Sequence, residues 1–401
     1  MASKQHTSVP RNPGQGRANV SDVELVWEGK AAPSKRRPRP LALVETIRAK
    51  GEGRATGEGG AESEGEAPGV PDGWTNKLIH GDNATALASL APTYRGEVGL
   101  IYADPPFATG GEFRLRRPDG SKAGETAYSD AWGPGLASYL QMLYERLALM
   151  RELLAERGTL YLHVDWRAGH YARVMLDELF GRPAFRNTIV WHYGGRGAKA
   201  IAGQFPRNHD MLLVYAKSPG AAFNRLRQVR RVPVEEAPRR GYRRDADGRW
   251  FKTAPRGDYT DASIRRLEQE GRIYRTRTGR ERVKYFLPVE GGHVLDEKLL
   301  GDVWDDIGDM MHAPAAERTG FPTQKPEALL ARIIEASSKP GDLVADFFCG
   351  SGTTAAVAER LGRRWIACDS SLAAIDIARR RLTSMPRHGP FDLLSATAGA
   401  G

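Results

Sequence analysis

Cysteine is almost missing: Cys349 and Cys368 are the only two in 401 residues. Two thiols exclude a disulfide framework and a four-cysteine zinc site, and they suit a reducing, cytoplasmic setting. Long apolar runs are missing as well. No stretch of about 18 apolar residues occurs, and the opening residues lack the apolar core of a signal peptide, so membrane residence is not expected. Acid is in deficit, with 49 Asp plus Glu against 59 Lys plus Arg, a net charge of +10 and a pI near 9.6. That balance favours an anionic partner, nucleic acid foremost, over a merely basic soluble surface. What is present is 40% hydrophobic residues, enough for a sizeable core in one large domain with insertions or two modest ones.

Composition divides the chain. Residues 1–73 hold "SKRRPRP" and then "GEGRATGEGGAESEGEAPG", with few large apolar residues. Such a segment buries too little surface to offset its ordering entropy. It is expected as a disordered arm, with a short helix near "LALVETIRAK" and a basic cluster that is either solvated or in touch with phosphates. From residue 74 the pattern is α/β. Strands are predicted over 98–103, 160–164, 188–191, 211–216, 343–348 and 365–368. Leu140, Leu143, Leu147, Met150 and Leu154 form one helical stripe, with Gly158 as its stop. A second helix begins at Pro326 and buries Leu329, Leu330, Ile333 and Ile334, and a third follows "GSGTT". Strands alternating with helices predict a doubly wound, Rossmann-like sheet.

Residues 221–290 break the rhythm. They carry 19 Lys plus Arg against 10 Asp plus Glu, so nearly all the excess charge lies there. Tyr242, Trp250, Phe251, Tyr259, Tyr274, Tyr285 and Phe286 are interleaved with those cations. The mixture suits a nucleic-acid face, and a solvated basic insertion is the competing reading. The predicted organisation is therefore 1–73 arm, 74–220 catalytic half, 221–300 basic insertion, 301–385 cofactor half and 386–401 flexible tail.

Two motifs carry chemistry. "DLVADFFCGSGTT" runs a strand into Gly350-Ser351-Gly352 and then a helix, and Asp369 follows at the end of the next strand. Glycines there admit a ligand close to the backbone, and an acid at that spacing accepts from ribose hydroxyls. Alone this is a nucleoside-cofactor loop or only a tight turn. "ADPPF" puts Asp104, Pro105, Pro106 and Phe107 at the end of another predicted strand. A carboxylate accepts from an amine, prolines fix the local backbone, and a flat ring stacks a base. His163 and Asp165 in "LHVDW" lack a third metal ligand and more simply shape a pocket wall. The stretch after Trp191-His192-Tyr193 reads as a loop over the site, with Arg196 and Lys199 facing DNA or only solvent.

Together, "ADPPF" and "DFFCGSGTT" resemble the amino-methyltransferases that modify exocyclic nitrogens of DNA bases. The order of the motifs resembles the β class, a circular permutation of the usual sheet. "LIHGDN", "GTLYLHVDWRAGHYARVMLDELFG", "HDMLLVYAKS", "GRIYRTRTGR", "VWDDI" and "FPTQKPEALLARIIEASSKPGD" are similar to adenine-specific modification subunits of type III restriction systems. The resemblance spans about residues 74–383. It implies S-adenosylmethionine as cofactor, double-stranded DNA as substrate, transfer to adenine N6 with cytosine N4 as the alternative, and a homodimer or restriction subunit as candidate partners. A DNA-binding module without turnover is the non-enzymatic reading, and a nucleotide-dependent oxidoreductase leaves "DPPF" unexplained.

By the same resemblance, Asp104, Pro105, Pro106 and Phe107 are catalytic. Asp346, Gly350 and Gly352 line the methionine end of the cofactor site, Phe348 and Thr353 are further cofactor-binding positions, and Asp369 holds the ribose. Asp82 is expected near the cofactor adenine, on the premise that its strand neighbours that of Asp104. Thr323 and Lys325 are expected near the cofactor carboxylate. Two positions depart from the family pattern: Phe347 where Pro is frequent, which leaves the rigidity of the loop open, and Phe107 where Tyr is commoner.

Overall fold

The computed structural model describes residues 23–33, 36–48, 73–107, 111–116, 122–129, 135–194 and 203–397. In chain order the first part holds β1 (Ala42–Ile47), β2 (Asn76–His80), α1 (Asn83–Tyr94), β3 (Val98–Ala103), β4 (Glu112–Arg116), β5 (Lys122–Ser129), α2 (Leu136–Leu153), β6 (Leu154–Val164), α3 (Gly169–Phe180), β7 (Phe185–His192) and β8 (His209–Ala216). Next come β9 (Arg227–Pro233), β10 (Arg243–Arg244), β11 (Trp250–Pro255), α4 (Asp261–Gln269), β12 (Ile273–Arg275), β13 (Glu281–Leu287), β14 (Val289–Glu290) and β15 (His293–Leu299). The last part holds β16 (Val303–Trp304), α5 (Glu327–Ser337), β17 (Leu343–Asp346), α6 (Thr353–Arg360), β18 (Arg364–Asp369), α7 (Leu372–Ser384) and β19 (Phe391–Ser395).

Ten strands form one sheet in the order β1-β19-β2-β18-β17-β3-β6-β8-β7-β16. From β19 to β6 the strands run parallel, and β8 runs antiparallel to both of its neighbours. Period-2 alternation sorts the side chains. Ile101, Leu160, Leu162 and Ala345 join α1, α2 and α3 in one core, while Tyr161 points the other way and meets Ser337 of α5 at 2.8 Å. Buried on both faces, such strands read as continuous apolar runs. The sheet is a permuted doubly wound fold: β17, α6 and β18 come late in the chain yet lie between β2 and β3. The order reverses between β17 and β3, and a crevice opens there beyond the carboxyl ends of the strands.

Three expectations are corrected. Residues 42–47, placed in a disordered arm with a short helix, form a strand antiparallel to β19, and β19 itself falls in the expected flexible tail. The stretch Val44-Glu45-Thr46-Ile47, rich in β-branched residues, fits a sheet edge, with a partner some 350 residues along the chain. Thr46 donates to Asp392 at 2.7 Å across that pair. The earlier residues 23–33 dock too: Trp27 meets Tyr144 edge-on at 5.6 Å, Lys30 bonds both carboxylate oxygens of Glu178 at 2.9 Å, and Ala31 exchanges two hydrogen bonds with Gln141. Gly158 does not stop a helix. The helix ends at Leu153, and Gly158 lies within β6, where a Cβ would sit 2.8 Å from the Val98 carbonyl.

Residues Arg225–Gly301 separate as a second compact unit. It contains a three-stranded sheet, β14-β15-β9, and a four-stranded sheet, β10-β11-β13-β12. Val232, Tyr242, Leu287 and Val294 fill one small core, and Ile264 and Leu267 of α4 cover Val283 in another.

Trp27→Ala should destabilise the fold by about 1–3 kcal/mol, through lost burial and lost ring contacts. Urea denaturation measures this. A change inside experimental error would mean that residues 23–33 do not dock as described.

Candidate active site

Four adjacent parallel strands deliver four acids to one edge of the sheet. Asp104 follows β3, Asp346 ends β17, Asp369 ends β18, and Asp82 lies two residues beyond β2. In register, Asp346 stands beside Tyr102 and Ala367, and Asp369 beside His80. They surround a cavity of about 380 Å³ that Pro105, Pro106, Phe107, Thr323, Lys325, Phe348, Gly350 and Thr353 also line.

The Gly-rich loop is held from inside. Asp346 accepts from the Phe348 amide at 3.0 Å and the Thr354 hydroxyl at 2.6 Å. Burial pushes its carboxyl up to about 7, with Asp104 and Asp369 adding to the shift and the two hydrogen bonds opposing it. Asp369 accepts from the amides of Gly350 and Ser371, each at 2.9 Å, and burial raises it as well. Gly350 has φ 49°, and a Cβ there would lie 2.9 Å from the Phe321 ring. Phe347 is fully buried and its carbonyl accepts from Asn83 at 2.8 Å. Packing and that bond fix the loop where a proline would have fixed the backbone.

Asp104 forms an ion pair with Lys325 through Oδ2, while its Oδ1 is buried with no hydrogen-bond partner among the described residues. Pro105 and Pro106 supply carbonyls without competing N–H groups. Behind them His163 is fully buried, 2.7 Å from the Tyr102 hydroxyl through Nδ1 and 3.3 Å from Asp210 through Nε2. Burial holds the Tyr102 hydroxyl far above its usual range, with Asp104, Asp346 and Asp210 adding to it, so the hydroxyl stays protonated. Asp165 is taken up by the Arg167 amide and guanidinium. No His/Cys/Asp/Glu group suited to a metal occurs among the described residues, and neither His163 nor Asp165, expected to shape the pocket wall, lines the cavity. Cys349 and Cys368 are buried free thiols whose pKa burial pushes up, which removes them as thiolate nucleophiles.

Three expected roles change. Gly352 does not line the cavity. It caps α6 at φ 72°, and a Cβ would lie 2.7 Å from the Ala378 Cβ, so it is the close-packing glycine between α6 and α7. Asp82 reaches the cavity by another route than supposed, because β18 and β17 separate β2 from β3. Its oxygens are already engaged: Oδ1 accepts from the Thr85 amide and hydroxyl and from Arg36, and Oδ2 from Arg146 at 2.8 Å. Lys325 sits on Asp104 rather than on an open stretch of the wall.

Sequence reasoning misses Asn83, Arg146, Tyr102, Phe321 and Ser371. Arg146 offers a signal, a cation in the middle of the apolar stretch of α2, and it is buried with its Nε on Asn83 at 2.5 Å. Outside the cavity, the turn after β6 exposes Trp166, with two guanidiniums close to its ring, Arg167 at 4.7 Å and Arg207 at 3.8 Å. Arg196 and Lys199 lie outside the described residues.

The DNA methylase family profile, of N6 and N4 methyltransferases, matches residues 98–380. The chain is 34% identical to the type II methyltransferase M.EcaI of Enterobacter cloacae, covering 76% of this chain and 69% of that one. It is 30% identical to the DNA adenine methyltransferase YhdJ of Escherichia coli K12, covering 76% and 82%. The chain spans only 54% and 48% of the type III Mod subunits StyLTI of Salmonella typhimurium and HindVI of Haemophilus influenzae. Among solved structures, the M1.HpyAVI–SAM complex aligns with a TM-score of 0.43 at 17% identity, over 76% of this chain and 98% of that one.

Gly352→Ala should lower stability by about 1–3 kcal/mol, from a strained left-handed φ and the clash with Ala378. Thermal unfolding reads the loss. Unchanged stability would place α7 farther from α6 than it stands.

Proposed function

The chain belongs to the N6/N4 DNA methylase family, and on that premise we propose that it methylates the exocyclic N6 of adenine in duplex DNA, using S-adenosylmethionine. The observation that carries the reading is the Asp104 carboxylate, followed by Pro105, Pro106 and Phe107, lining the same cavity as the Gly-rich loop.

The residues fit the cofactor. Asp346 puts a carboxylate where a cationic ligand would favour its charged form, and Asp369 keeps spare lone pairs for ribose hydroxyls. Gly350 leaves the backbone bare beside Phe321. When bound, S-adenosylmethionine supplies an electrophilic methyl group. The chain's own residues prepare the acceptor. An exocyclic amine is a weak nucleophile because its lone pair is delocalised into the ring. Asp104 accepts one N–H and a carbonyl of Pro105 or Pro106 accepts the other, which frees the lone pair. Phe107 gives a face for a base turned out of the duplex. After transfer the nitrogen sheds its extra proton towards Asp104 or water. Alignment and electrostatics supply the rate, with no covalent enzyme intermediate.

Adenine is favoured by the Asp-Pro-Pro resemblance and by the name of YhdJ, and cytosine N4 is the alternative that the same geometry would serve. Contact with DNA is supported by the net +9 of residues 221–290 and by the exposed Trp166 stack. A restriction subunit and a second copy of the chain are partners proposed by resemblance alone.

Labelled S-adenosylmethionine, mixed-sequence duplex and nucleoside mass spectrometry test the reading. N6-methyladenine is expected, with Asp104→Ala lowering transfer by about a hundredfold or more while the cofactor still binds. N4-methylcytosine would overturn the choice of base, and transfer retained in Asp104→Ala would overturn the role of the carboxylate.

Asp346 makes binding depend on pH. Its folded-state carboxyl titrates near 7, above the ordinary range, so below that pH a cationic ligand must expel a proton to meet its anion. Cofactor affinity should therefore rise as pH increases towards 7 and level off above it, by up to about tenfold per unit. Calorimetry at pH 6 and 8 reads the slope, and Asp346→Asn should flatten it. Equal slopes in both proteins would assign the proton elsewhere.

A further inference from the structure

We propose that Lys325 is a positioning residue that holds the place of the target amine in the DNA-free protein and withdraws when the base enters. This rests on the reading of Asp104 and Phe107 given above. Lys325 Nζ bonds Asp104 Oδ2 and lies 5.2 Å from the centre of the Phe107 ring. Those are the two contacts assigned to the base: an N–H donor on the carboxylate, and a group over the flat face. The lysine and the target amine therefore compete for one place.

Burial gives the pair weight. The Lys325 and Asp104 side chains are 12% and 14% exposed, unlike a surface bridge, and an unpaired carboxylate at that depth is costly. The neighbouring His163 does not make this contact. Its Nδ1 is 3.9 Å from Asp104 Oδ1 and is engaged with Tyr102. Lys325 thus keeps the carboxylate compensated until substrate arrives.

The backbone under the lysine is fixed. The preceding Gln324 accepts from the Thr319 amide at 2.8 Å and donates to the Glu317 carbonyl at 2.6 Å, and Pro326 opens α5 immediately after. Withdrawal is therefore a swing of the four-carbon side chain, with the loop in place. Such rotamer changes are fast, so base entry and lysine exit can occur together.

Two measurements on the full chain test this. The first needs no DNA: reductive methylation of amines, with Lys325 followed by peptide mass spectrometry. Asp104→Asn should free Lys325 and speed its labelling. An unchanged rate would show that the pair does not form and would overturn the proposal. The second uses a duplex bearing the sequence found methylated in DNA from cells expressing the protein, with 2-aminopurine at the target base. Lys325→Met should tighten base entry, read as fluorescence gain, by about three- to tenfold, the worth of a modest ion pair. Lys325→Arg, which keeps the cation, should not tighten it. Unchanged base entry in Lys325→Met, together with weaker cofactor binding, would make Lys325 a cofactor ligand and overturn the proposal. Should the wild type neither methylate nor turn out a base, the proposed function falls, and the labelling result still decides whether the pair exists.

Discussion

Bringing four carboxylates to one sheet edge is the constraint that the rest of the site answers. Parallel strands place their carboxyl ends together, and here β2, β18, β17 and β3 each end in or near an acid. Like charges in a partly buried cavity repel, so each is compensated differently. Asp369 takes two backbone amides, Asp346 takes an amide and a hydroxyl, Asp82 takes Arg146, and Asp104 takes Lys325. Asp346 and Asp369, with neutral donors only, are the two that burial pushes up, Asp346 to about 7. The two paired with cations stand at the ends of the row, where side chains from α2 and from the loop before α5 can reach them.

This arrangement explains what could be read from the sequence. "ADPPF" and "DFFCGSGTT" are local: each motif holds a strand end, its turn residues and its chemistry within a few positions. Tertiary structure has only to bring the two together, which adjacent parallel strands do. The neighbourhood expected for Asp82 is wrong because strand adjacency is not written in sequence order. The permuted fold inserts β17 and β18 between strands that are neighbours along the chain. The ion pair of Lys325 is hidden from the sequence for a related reason. Its motif shows a cation before a helix, but only the packed loop shows that the nearest anion is Asp104.

The edge of the sheet is illegible for a different cause. Residues 42–47 are mostly exposed, so no buried periodicity marks them, and their partner β19 lies at the other end of the chain. The glycine-rich stretch that follows them dominates the local composition and masks a short segment that has a partner. Gly158 misleads in the opposite direction. A glycine after an apolar helical stripe is ordinarily a stop, yet here it permits close approach of β6 to the Val98 carbonyl. Both cases depend on contacts that no local pattern contains.

Aromatic residues show how far composition can be pressed. Those of Arg225–Gly301 suggest a base-contacting set by their spacing among cations, but most are committed within the unit. Tyr242 and Phe251 are buried, Arg243 covers Tyr274 and Arg249 covers Phe286. Guanidiniums stacked on rings stay charged at their edges, so that unit offers cations to phosphates more than flat faces to bases. Trp166, beside the strand that neighbours β3, differs in being exposed, although two guanidiniums approach its ring as well. Phosphate affinity and base contact therefore draw on different residues. The charge excess that first suggests nucleic acid reports on the phosphates, whereas the chemistry on the base depends on Asp104 and the few groups packed around it.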